Sequence, residues 1–178
     1  MKKQILVLTV FISLLFLSCG SGGELLWLDN PTDEAISVEI DGKKYDIAPG
    51  ELKRVPDGTS GKQKFKGVDG KEVEIEINGV SFINCTNATY IECAIEYSIN
   101  PNSASTLPEA VEVEIAGDKY TGNFKVHTDI VIPHSNINYN VTEPLKDEIS
   151  ITGNSTIINK MYRIKDFLAD SDMETYKN

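Results

Sequence analysis

Cys85 and Cys93 are separated by seven residues and flanked on both sides by strand-forming sequence: residues 80–84 read Val-Ser-Phe-Ile-Asn, and residues 90–97 read Tyr-Ile-Glu-Cys-Ala-Ile-Glu-Tyr. A hairpin centred near Thr89 would set the two thiols opposite each other, within bridging distance. The expectation is a disulfide between Cys85 and Cys93 if the chain is exported to an oxidising compartment. A redox or metal role for the pair is disfavoured, because the chain has no Cys-x-x-Cys and no histidine lies near either thiol.

His127, Asp129 and His134 fall within residues 125–134, Lys-Val-His-Thr-Asp-Ile-Val-Ile-Pro-His. Residues two apart share one face of a strand, so His127 and Asp129 could point the same way. His134, however, follows Pro133 in an expected turn, and two histidines are few for a catalytic zinc site. The acidic run Asp170-Ser-Asp172-Met-Glu174 lacks the turn glycine and the distal glutamate of a calcium loop. Asn84, Asn87, Asn140 and Asn154 each begin an Asn-x-Ser/Thr triplet, which is read here as turn chemistry. Nucleophile-elbow, zinc-helix and phosphate-loop motifs do not occur. Carboxylate pairs are too plentiful in this chain for any one to be singled out as glycosidase machinery. The sequence therefore assigns no catalytic residue, no metal ligand and no cofactor, and reads as a non-enzyme.

The elements that would carry these residues are strands. Residues 35–40 alternate, Asp41-Gly42 is a two-residue hairpin signal, and residues 44–47 form the return strand. Pro49-Gly50, residues 56–58 and residues 68–70 punctuate further strands. The hairpin sequence then returns. Residues 34–45 read Glu-Ala-Ile-Ser-Val-Glu-Ile-Asp-Gly-Lys-Lys-Tyr, and residues 109–120 read Glu-Ala-Val-Glu-Val-Glu-Ile-Ala-Gly-Asp-Lys-Tyr, eight identities in twelve positions at an offset of 75. Residues 72–75 and 148–151 match at nearly the same offset, which favours two related β units over one good hairpin sequence used twice. Ile157, Ile158, Met161, Ile164 and Leu168 fall at helical spacing behind a Ser155 or Thr156 cap, so one short C-terminal helix is expected, with a final strand as the alternative.

The expected fold is all-β: an antiparallel β-sandwich, of one or two layers pairs, built from two related β units with one short C-terminal helix. Residues 25–99 form the first unit with the Cys85–Cys93 hairpin, residues 109–168 the second unit with the helix, and residues 169–178 a flexible acidic tail.

The N-terminus carries the most specific signal. Lys2 and Lys3 precede an apolar run from Ile5 to Leu17, interrupted only by Thr9 and Ser13, and Ser18 and Cys19 follow. This is the anatomy of an exported leader. The run is short for a span of about 20 apolar residues, and Gly20-Ser21-Gly22-Gly23 follows it with no basic flank. The junction Phe16-Leu-Ser-Cys19-Gly20 resembles the lipobox of bacterial lipoproteins, with Phe16 where that family usually has Leu. The resemblance implies a signal peptide over residues 1–18, cleavage before Cys19, acylation of Cys19 and a lipidated Gly/Ser tether over residues 19–24. Gly20 in place of an aspartate implies delivery to the outer rather than the inner membrane in a cell that has two, with a Gram-positive cell surface as the alternative. Several acyl chains exceed what stable anchoring requires. The repeated hairpin is also similar to PEGA-type and immunoglobulin-like modules of bacterial surface proteins, which implies an all-β fold and no chemistry.

Loss of Lys2 and Lys3 with the leader moves the formal net charge from −10 to −12, a balance that repels nucleic acid and anionic headgroups. The function expected is a membrane-anchored envelope component that binds or scaffolds another envelope protein or a surface ligand. Two other classes stand beside it: an envelope enzyme or enzyme inhibitor with a site built on loops 100–108 or 133–144, and a surface adhesin.

Overall fold

The computed structural model describes residues 24–58, 60–100, 105–146, 149–151 and 153–178. The leader, Cys19 and the Gly/Ser tether lie outside these residues. Among the described residues, no helix is long and apolar enough to cross a membrane.

The fold is all-β with one short C-terminal helix, and its layers share a central sheet. β1 (Glu24–Asp29) lies inside that sheet between two later strands. An outer sheet carries β2 (Ile36–Ile40) and β3 (Lys43–Ile47), which form its hairpin edge. β4 (Leu52–Gly58) returns to pair antiparallel with β1. β5 (Gly61–Lys66) and β6 (Glu72–Ile77) complete the outer sheet in the order β3-β2-β5-β6. β7 (Ser81–Asn84) lies parallel to β1 on its other side. β8 (Tyr90–Ser98) leaves for a third sheet, and β9 (Val111–Ile115) and β10 (Asp118–Gly122) form a separate hairpin. β11 (Phe124–His127) joins β8, and β12 (Val131–Pro133) closes the central sheet as β12-β7-β1-β4. β13 (Ser155–Arg163) pairs with β8 over nine residues to give β11-β8-β13, and α1 (Ile164–Ala169) follows without a break.

Alternation along the central strands decides the layering. Leu26 and Leu28 of β1, Val55 of β4 and Ile83 of β7 meet Val38, Ile40, Ile47, Phe65 and Ile77 of the outer sheet in one core. The opposite face of the same strands presents Trp27, Phe82 and Ile132 to Tyr90 and Met161 of the third sheet in a second core. The far face of the third sheet carries Ile91, Cys93, Phe124 and Tyr162, covered by Ile115 and Tyr120 of the hairpin and by Phe167 of α1. Each fully buried Leu, Ile or Phe contributes about 1.5–3 kcal/mol, so a sheet filled on both faces is well anchored.

The repeat is a repeat of one hairpin. Val38 pairs with Tyr45, and Val113 with Tyr120; Ile40 pairs with Lys43, and Ile115 with Asp118. Both turns use two left-handed residues, Asp41 and Gly42 at φ 48° and 77°, and Ala116 and Gly117 at φ 53° and 91°. The copies differ in what surrounds them. Ile47, 1 % exposed, fills the first core, and its counterpart is Gly122, where a Cβ would stand 2.6 Å from the Phe124 ring.

Four expectations need correction. The hairpin centred near Thr89 does not form: β7 pairs with β1 and β12, while β8 pairs with β11 and β13. Asn84 closes the link, accepting from the Ala88 N–H at 2.8 Å and donating to the Ala88 carbonyl at 2.6 Å, so the chain passes between sheets. Cys85 and Cys93 are accordingly free thiols, buried in two different cores, and not a disulfide. Residues 155–163 are strand rather than helix, because β13 is apolar on both faces where it runs between two cores and so loses its alternation. The sequence left open whether units 25–99 and 109–168 form one sandwich or two, and their strands interleave: β8 builds the third sheet with β11 and β13, and β12 joins the central sheet. The expected flexible tail is docked, with Met173 buried, Tyr176 edge-on to Phe124 at 5.3 Å, and the Asn178 N–H donating to the Lys119 carbonyl.

Candidate functional site

β13 continues the third sheet towards residues 138–140, where the Tyr139 N–H donates to the Asn159 carbonyl and the Met161 N–H to the Tyr139 carbonyl. The chain then folds over the end of β13. Asn140 Oδ1 accepts from the Thr142 N–H at 3.0 Å and hydroxyl at 2.9 Å, and Glu143 Oε2 accepts from the Asn140 N–H at 2.9 Å. This turn, α1 and the residues after it border an open cavity of about 390 Å³. Its lining includes Glu143, Lys160, Tyr162, Asp166, Asp170 and Asp172.

Lys160 is the unusual residue. Strand alternation places it beside Cys93, on the face that packs inward, and it is only 4 % exposed. Its ammonium donates to the Asn140 carbonyl at 2.6 Å and stands 4.8 Å from the Tyr162 ring centre. Burial pushes its pKa down to about 8, against the opposing pull of Asp166, Glu143 and Asp170. Tyr162 donates its hydroxyl to Asp170 at 2.9 Å, and burial raises its pKa. The arrangement can offer a hydrogen-bond donor, or an amine close to losing its proton, to a small polar molecule. Loop 133–144, named from the sequence as one place for a loop-built site, borders the cavity, whereas Lys160 itself carried no signal. Burial of a lysine is set by neighbours distant in sequence.

The histidines take other partners. His127 Nε2 lies 2.8 Å from Glu92 of β8, not on Asp129, which is exposed. The hydrogen bond from His127 holds the Glu92 carboxyl below the usual range. His134 stacks on Phe82 at 5.9 Å, and burial lowers its pKa. Among the described residues, no group of three or more His, Cys, Asp or Glu side chains could hold a metal ion. Asp170 and Asp172 belong to a turn, Asp170 Oδ1 accepting from the Asp172 N–H at 3.0 Å. Of the other loop named from sequence, residues 101–104 lie outside the described residues, while Ser105 and Thr106 donate to Glu96.

The thiols are chemically quiet. Burial pushes Cys85 and Cys93 each up to about 12. No family model, no curated protein and no solved structure matches the chain.

Proposed function

We propose that this protein is a bacterial envelope lipoprotein, acylated at Cys19, whose β layers form a non-catalytic binding or scaffolding module held against the membrane. The junction Phe16-Leu-Ser-Cys19-Gly20 carries the reading. Two observations support it. Cys85 and Cys93 are buried in cores, so packing accounts for two of the three cysteines, and the third is the one at the lipobox-like junction. β1 starts at Glu24, and the four residues that separate it from Cys19 let the strand lie at most about 17 Å from that cysteine when extended. A module on so short a tether meets its partner at the membrane surface. An outer-membrane position is the expectation from Gly20.

Metabolic labelling with a fatty acid tests the anchor. Label should enter the wild type and be lost in Cys19→Ala, which should also leave the membrane fraction; persistent labelling of that variant would overturn the assignment. The rival reading, an envelope enzyme with a loop-built site, draws on the Lys160 cavity. It predicts saturable binding of a small molecule that is lost in Lys160→Met, whereas a scaffold predicts protein crosslinks unaffected by that change.

A further inference from the structure

The two copies of the hairpin are equivalent in register but not in company. In the first copy, the edge of β2 that faces away from β3 is occupied by β5: Glu39 pairs with Lys66 and Ile40 with Phe65, the Asp41 N–H donates to the Lys64 carbonyl at 2.9 Å, and the Lys64 N–H donates to Asp41 Oδ1 at 2.8 Å. In the second copy the corresponding edge belongs to β9, with Glu114 and Ile115 in the places of Glu39 and Ile40. Among the described residues, β9 pairs with β10 alone. The outer edge of β10 is already covered, since Tyr120 bridges to Lys177 and Lys119 accepts from the Asn178 N–H.

The consequences of the missing neighbour are visible in the side chains. Val38 is 1 % exposed, whereas its counterpart Val113 is only half-buried, and Val111 at the start of β9 is 48 % exposed. The two-residue turn makes Ile115 and Asp118 a hydrogen-bonded pair, so Val113 and Val111 bond inward to β10 while Glu112 and Glu114 direct their N–H and C=O groups outward. Unpaired edges of this kind are templates for another strand. A cavity of about 220 Å³ opens beside Val111, with Ala94, Pro108 and Phe124 as its apolar wall and Glu92, Glu109, Asn123 and Lys125 around it.

Charge selects the occupant. β5 reads Gly-Lys-Gln-Lys-Phe-Lys and sets Lys66 against Glu39 at 3.9 Å. β9 reads Val-Glu-Val-Glu-Ile, and Glu114 has no ion-pair partner among the described residues, while Glu112 is engaged by Lys119 at 2.6 Å. A second copy of β9 laid antiparallel on the first, centred on Val113, would set Glu112 against Glu114 twice, and like charges directly opposite are destabilising.

We propose that the open edge of β9 is a strand-addition site for an extended, lysine-rich segment of a partner protein, with cations opposite Glu114 and an aromatic or aliphatic residue opposite Ile115. The proposal rests on the reading of the domain as a binding module and names the chemistry of what it binds. A synthetic peptide with the sequence of residues 60–69 is the probe, titrated into the full chain held in detergent. Saturable binding is expected, with slowed amide exchange at Glu112 and Glu114, at least tenfold weakening by Glu114→Lys, and loss when the peptide amides at Lys64 and Lys66 are N-methylated. Absence of binding at millimolar peptide, binding insensitive to N-methylation, or binding unchanged by Glu114→Lys would each overturn it; amide exchange elsewhere in the variant checks that it is folded. Failure here leaves acylation of Cys19 untouched, and failure of acylation leaves the edge untouched.

Discussion

Asp29 and Arg163 are 134 residues apart in sequence and form a two-point ion pair in the interior, with Arg163 Nη2 at 2.5 Å from Oδ1 and Nε at 3.1 Å from Oδ2. Asp29 is 0 % exposed and Arg163 6 %. Tyr90 adds its hydroxyl to Asp29 at 2.7 Å, and Arg163 donates onward to the Gly50 carbonyl at 3.0 Å. The pair joins the central sheet to the third sheet, at the border of a core whose other members are apolar. Desolvation of both ions offsets most of their attraction, so the pair specifies how the sheets meet more than it stabilises them.

Removing one partner should be far worse than removing both. Arg163→Met leaves a buried carboxylate with Tyr90 alone and is expected to cost about 3–5 kcal/mol in denaturant unfolding. The double variant Asp29→Asn, Arg163→Met should lose clearly less than the two single losses combined. Additive losses would show that the two residues do not act as a pair.

Lys160 makes stability depend on pH in an identifiable direction. Its folded pKa of about 8 lies below the unfolded value of about 10.4, so the unfolded state holds more protons between those limits. Burial of the ammonium therefore costs stability below pH 8, and the cost is relieved as pH rises towards 10.4, by an amount on the order of 2–3 kcal/mol. The thiols act oppositely: with folded values near 12, they remain protonated while unfolded cysteines ionise above about pH 8.5. The difference between wild type and Lys160→Met isolates the lysine. Unfolding curves from pH 7 to 10.5 should show the variant's advantage shrinking as pH rises; a constant difference would mean that Lys160 titrates normally.

Two free thiols should be hidden in the native protein. In a Cys19→Ala background, native protein at pH 8 should react slowly with a thiol reagent, and denatured protein should react at two sites. A non-reducing mass two hydrogens short of the reduced value would contradict the free-thiol arrangement of Cys85 and Cys93.

The second hairpin turn is built with the poorer residue. Ala116 holds φ 53°, a conformation costing an alanine roughly 1–2 kcal/mol, and the first copy uses Asp41 there. Ala116→Gly should raise stability by up to about 1 kcal/mol, tempered by the entropy glycine adds to the unfolded chain. Gly117→Ala, at φ 91°, should lower it. Thermal unfolding of both variants, moving in opposite directions, is the check.

Wherever the determinants were local, the sequence was a sound guide. Alternation around Asp41-Gly42 defined the first hairpin to within a residue, and the repeat carried the same turn to Ala116-Gly117, because a two-residue turn and a period of two act within about ten residues. The expectation of turn chemistry at Asn84 and Asn140 is met by side-chain hydrogen bonds to residues two to four positions on. Sheet membership was not legible in the same way. Residues 155–163 carry apolar groups on both faces, which mimics helical spacing, and only pairing with β8 between two cores makes them a strand. Cys85 and Cys93 sit on consecutive strands that sequence alone pairs, yet each strand finds better neighbours elsewhere.

The sequence by itself determined the strand-and-turn character of the chain and its repeated hairpin, both of them set by side chains acting on adjacent backbone. Only the tertiary structure decided that Asp29 meets Arg163, that Lys160 is buried beside a cavity and that, among the described residues, β9 pairs with β10 alone where β2 also pairs with β5. Those outcomes depend on which sheet faces are covered, and covering a face is a property of strands brought together from distant parts of the chain.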